Sequence, residues 1–74
     1  MNDSEFMQLA ISEAKISANE GGVPVGACLA DGGVLVAKGH NRRQQKKTII
    51  LHGETDCLAN AGLYGNWSRC TLYT

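Results

Sequence analysis

Two apolar, β-prone runs flank Asp31-Gly32-Gly33, and this arrangement constrains the fold more than any other feature of the chain. The first run is Val23-Pro24-Val25-Gly26-Ala27-Cys28-Leu29-Ala30, and the second is Val34-Leu35-Val36-Ala37-Lys38-Gly39. An Asp-Gly turn signal between such runs predicts a β-hairpin. Pro24 has no N–H for a ladder, so it belongs at the strand's start or where no partner needs a donor.

Helical patterns bracket the hairpin. Over residues 4 to 19, Phe6, Leu9, Ala10 and Ala14 recur at helical spacing, with Ile16 and Ala18 extending the apolar face. Glu5, Gln8, Glu13 and Lys15 are expected on the other side. Asn2 followed by Glu5 reads as a capping box, and Gly21-Gly22 as a stop. Residues 40 to 47 are polar and loop-like, and Thr48-Ile49-Ile50-Leu51 is a short apolar approach to a second helix over 53 to 64. That helix should bury Cys57, Leu58, Ala61 and Leu63. Cys70-Thr71-Leu72-Tyr73-Thr74 alternates and is β-prone. The order is therefore α-β-β-α-β, an α/β class in which helices cover a sheet.

Seventy-four residues allow one small domain. Such a chain buries only about 60% of its unfolded surface, which makes its stability marginal. Cys28, Cys57 and Cys70 are odd in number and widely spaced, unlike a disulfide framework. Three unpaired thiols and an acidic start without a secretion signal point to a reducing cytoplasm. No apolar run approaches the ~20 residues of a membrane span. Seven acidic and seven basic residues cancel, which argues against a general nucleic-acid or anionic-membrane binder. The cluster Arg42-Arg43-Gln44-Gln45-Lys46-Lys47 is either a solvated loop or a phosphate-binding patch, and no aromatic residue interleaves it for base stacking.

His52-Gly53-Glu54 is the candidate for chemistry, and its plainer alternative is capping and surface chemistry at a helix start. A neutral imidazole is a common zinc ligand. Glu54, about 200° further around a helix start, points away from His52, so it serves better as a proton carrier than as a second ligand. A helix N-terminus also favours its carboxylate. Gly53 lets a ligand approach the backbone. The pattern is the first half of the zinc deaminase signature, H-x-E followed by P-C-x-x-C, and the second half is absent. Cys28, Cys57 and Cys70 read as buried, inert thiols. A catalytic zinc needs three protein ligands, and the sequence visibly offers one.

Residues 20–29 (Glu-Gly-Gly-Val-Pro-Val-Gly-Ala-Cys-Leu), Gly39-His40-Asn41 with Arg43, Gln45 and Lys46, and Leu51-His52-Gly53-Glu54 together resemble the yeast-type cytosine deaminases. Thr71-Leu72-Tyr73-Thr74 is similar to the strand that leads, in that family, into the Pro-Cys-x-x-Cys segment. The resemblance implies the cytidine deaminase-like fold, a three-layer α-β-α sandwich around a mixed sheet, and a homodimer. It implies zinc-dependent hydrolysis of cytosine, a small pyrimidine, to uracil and ammonia, as in pyrimidine salvage. By motif, His52 is the expected zinc ligand and Glu54 the proton shuttle. Asn41 is the expected pyrimidine-binding amide, the Gly53 N–H the contact for the ring carbonyl, and Val25 an apolar wall. Asn41 also has a plain alternative, capping a turn after the hairpin.

The likeness covers about the first half of a family member, so residues 1–74 are expected to be the N-terminal part of a deaminase domain, inactive alone. Two alternatives stand beside cytosine deamination. One is another substrate: a nucleoside, guanine or tRNA adenosine. The other is a non-catalytic truncated chain, or one piece of a split domain.

Overall fold

Asn2 opens the first helix. Its side chain accepts from the Glu5 N–H at 2.9 Å, and Glu5 accepts from the Asn2 N–H at 3.0 Å, the reciprocal cap expected from the sequence. The structure is a computed structural model describing residues 1–74, in which α1 spans Asp3–Asn19. Gly21 takes φ +83°, and the Gly22 N–H closes on the Ser17 carbonyl at 2.9 Å, ending the helix where the glycine pair foretold.

The hairpin forms from β1 (Gly26–Asp31) and β2 (Val34–His40), joined through Gly32 at φ +61°. The register shifts between Leu29 and Ala30, a bulge in the ladder. Helix α2 spans Gly53–Ala61, a 3-10 turn covers Trp67–Arg69, and β3 spans Cys70–Tyr73. The sheet order is β2-β1-β3, with both pairings antiparallel. Over these residues the sheet is therefore antiparallel, not mixed.

Central β1 is buried on both faces because its side chains alternate. Ala27 and Leu29 pack with Ala37 and with Cys57 of α2, whereas Cys28 and Ala30 pack with Phe6 of α1. One helix thus lies on each side of the sheet, which is the three-layer α-β-α arrangement. Tyr73 stacks on Phe6 with ring centroids 5.2 Å apart, tying β3 to α1. No helix is long and apolar enough to cross a membrane.

Four sequence expectations shift. The first strand begins at Gly26, not Val23, because the Val25 N–H turns back to the Val23 carbonyl at 2.8 Å around Pro24. The second helix stops at Ala61, since Gly62 at φ +68° breaks it; Leu58 and Leu63 are exposed. Ile16 and Ala18 also face solvent. Glu13, expected outside, is buried between Lys38 and His40. The buried positions of α1 are Phe6, Ala10, Glu13 and Ser17, a clean helical spacing that residue polarity concealed.

Candidate active site

Three segments meet at Val25. Its carbonyl accepts the Asn41 N–H at 2.8 Å, where the chain leaves β2. Its side chain lies against the start of α2: a Cβ at Gly53 would sit 3.2 Å from Val25 Cγ1 and 3.3 Å from its carbonyl oxygen. Gly53 is buried, and only a residue this small fits without crowding that contact. The Arg42 N–H donates to the Leu51 carbonyl at 2.8 Å, bringing the loop after β2 beside the approach to α2. Folding thus brings Asn41 and Gly53 together against Val25.

Asn41 is buried, and its Oδ1 accepts from the Arg43 N–H at 3.1 Å. Half of the amide therefore caps a turn, as the plainer reading of the sequence had it. The Nδ2 donors are left without a protein partner. At the head of α2 the Gly53 N–H meets no protein acceptor, as is usual for the first donors of a helix. Free N–H groups from Asn41 and Gly53 are what a ligand with two acceptors would meet.

His52 and Glu54 flank Gly53. His52 is exposed and its imidazole bonds to no protein group; Glu54 is half-buried, with no ion-pair partner. Both are available for chemistry. The donor set within residues 1–74 does not, however, complete a zinc centre, because no three His, Cys, Asp or Glu side chains cluster. Cys57 lies under α2 against the Ala37 carbonyl, and burial pushes its thiol up to about 11. Cys28 is on the opposite face of the sheet, its thiol donating to the Phe6 carbonyl and likewise raised by burial. Cys70 sits at the start of β3 beside the Asn66 carbonyl. None is placed to join His52.

A polar framework that no local sequence pattern marks stands behind these residues. Asp56 accepts the His40 N–H at 3.0 Å and Arg42 Nε at 2.9 Å, locking α2 to the end of β2. The His40 ring bridges Glu13 at 2.8 Å and Glu20 at 3.0 Å. Hydrogen bonding to His40 holds the Glu20 carboxyl below its ordinary range, with Gln45 adding to the effect. Of the basic cluster, Arg42 is engaged with Asp56, while Arg43, Lys46 and Lys47 are exposed.

Comparison with known proteins fits this geometry. The family described as the cytidine and deoxycytidylate deaminase zinc-binding region matches residues 1–74. The chain belongs to that deaminase family. It is 43% identical to a cytosine deaminase of Candida albicans, over 99% of this chain and 51% of the relative. It is 40% identical to a tRNA-specific adenosine deaminase of Bacillus subtilis, over 96% of this chain and 46% of that one. Among solved structures, Bacillus subtilis guanine deaminase superposes with a TM-score of 0.83 at 26% identity, over 99% of this chain and 49% of its own. A tRNA:A34 deaminase superposes at 0.81 with 27% identity, over 95% and 56%. This deaminase-family chain spans about half the length of the relatives it matches, and zinc binding is a property of the family region it carries.

Proposed function

We propose that the chain serves hydrolytic deamination of cytosine to uracil and ammonia. The observation that carries the reading is that Asn41 and Gly53 both lie against Val25, each with an unpaired donor (Nδ2 and the backbone N–H), while the unpaired Glu54 follows Gly53 in the chain. The carbonyl oxygen of cytosine has two lone pairs and can accept from both donors, which leaves the neighbouring ring nitrogen open to Glu54. The 43% identity to the Candida cytosine deaminase supports the base as substrate.

In this reading Glu54 takes a proton from the attacking water and gives it to the ring nitrogen, then takes the second proton from the hydroxyl formed on the ring carbon and passes it to the amine, which leaves as ammonia. Val25 supplies an apolar wall against the ring, and Asn41 with Gly53 fixes its edge. Zinc, when bound, acidifies water to a pKa of about 7. His52 is the ligand proposed from residues 1–74, the others coming from outside them. The three unpaired thiols fit a cytoplasmic setting.

The test uses the product of the native gene. Ammonia release from cytosine should be lost by about 10²–10⁴-fold in Glu54→Gln, with cytosine binding retained. Turnover of guanine or of tRNA adenosine in place of cytosine would overturn the substrate assignment.

A further inference from the structure

We propose that Gln45 is a positioning residue for Asn41, tying the Asn41 backbone to the end of α1 and so fixing where its free amide points. The inference deepens the reading above and rests on Asn41 being a substrate contact. Gln45 Nε2 lies 2.9 Å from the Asn41 carbonyl, 3.1 Å from Ser17 Oγ and 3.2 Å from Glu20 Oε1. A carbonyl and a carboxylate only accept, so the NH₂ side must face them. The cost is visible: Gln45 Oε1 is buried without a partner. The side chain is held by what its NH₂ group grips.

The grip extends into α1. Ser17, fully buried, places Oγ 2.7 Å from the same Asn41 carbonyl and 2.6 Å from the Val23 carbonyl. Glu20 is steadied in turn by His40, whose other nitrogen reaches Glu13. Gly22 makes room, since a Cβ there would collide with the Gln45 amide. Asn41 is consequently fastened at its N–H by Val25, at its carbonyl by Gln45 and by the Ser17 hydroxyl, whose one proton is shared with the Val23 carbonyl, and at Oδ1 by Arg43. Only Nδ2 remains free. A residue pinned at three points loses little freedom when its fourth group meets a ligand, so the pinning favours binding and shows in KM.

A double-mutant cycle in the product of the native gene tests this, with cytosine as substrate. Gln45→Met keeps the side chain's bulk without its hydrogen bonds. With Asn41 intact it should raise KM about tenfold and leave kcat within about twofold. In an Asn41→Ala background the same change should move KM by less than about twofold, because nothing is left to position. Equal effects in both backgrounds would mark Gln45 as merely structural and overturn the proposal. Ser17→Ala, which removes the second side chain at the Asn41 carbonyl, should move KM in the same direction as Gln45→Met. Amide hydrogen exchange supplies a readout independent of substrate. The Arg43 N–H should exchange at least about tenfold faster in Gln45→Met while β1 amides are unchanged. No acceleration overturns the proposal. Acceleration without cytosine turnover by the unsubstituted protein would support the positioning role and overturn the substrate reading.

Discussion

A Cβ at Gly39 would lie 2.5 Å from the Cys57 nitrogen and 2.7 Å from Asp56 Oδ2. Backbone stands in the way, so no rotamer change relieves the clash. Gly39→Ala should destabilise the chain by about 1–3 kcal/mol, as overpacking does, seen as a lowered melting temperature by circular dichroism. The contact matters because it brings α2, with His52 and Glu54 at its head, down onto β2. Cysteine chemistry offers a second check at this scale. Burial raises the Cys57 and Cys28 thiols, which leaves less thiolate at any given pH. Alkylation of the folded protein at about pH 8 should therefore modify half-exposed Cys70 and spare the other two until denaturant is added. Mass spectrometry of the labelled protein reads this directly, and early labelling of Cys57 would show that α2 does not stay docked.

Between elements, Asp31 acts as a staple. At the end of β1 its carboxylate accepts from Arg69 Nη2 at 2.9 Å and from the Tyr64 hydroxyl, drawing in the segment that leads to β3. The Tyr64 ring meets Trp67 edge-on at 5.8 Å, so the same segment also packs on itself. The hydrogen bond from Tyr64, then that from Arg69, holds the Asp31 carboxyl below its ordinary range. Since the folded pKa is the lower one, this stabilisation is present above the unfolded value of about 3.9 and fades as pH falls through the folded value. Asp31→Asn should thus lower the melting temperature at pH 7 and make no difference near about pH 2. A constant difference across that range would show that the pairing contributes nothing electrostatic.

At the scale of the molecule, only 16 of 74 residues are buried, and seven of the eight buried apolar residues fall into one cluster of four and one of three. Small separate cores give little cooperative burial. At about 0.05 kcal/mol per residue, the low end for folded domains, stability is about 4 kcal/mol. With a urea slope of about 1 kcal/mol/M, unfolding of the isolated 74 residues should centre at or below about 4 M. A midpoint well beyond that would require interactions that these two clusters do not provide. Position in the sheet shapes the stability too. β1 has neighbours on both sides and helices on both faces, whereas β2 and β3 each keep an outer edge. Slowest amide exchange is expected in β1.

The sequence by itself determined the order of elements, the cap at Asn2, the hairpin turn at Gly32 and the helix that starts beside His52. These are local decisions, made by residues within a few positions of one another. It did not reveal Glu13 as a buried residue, because its position repeats the spacing of Phe6, Ala10 and Ser17 while its charge suggests solvent. Only tertiary structure supplied the reason, the His40 ring 27 residues further along the chain. The same holds for Asn41. Sequence marked the residue, but the division of its amide into a capped oxygen and a free NH₂ depends on the fold, as does the grip on its carbonyl by Ser17 and Gln45. The His-Gly-Glu motif was legible from the start. The framework that aims its neighbours was not, because hydrogen bonds between distant residues leave no periodic trace in a single sequence.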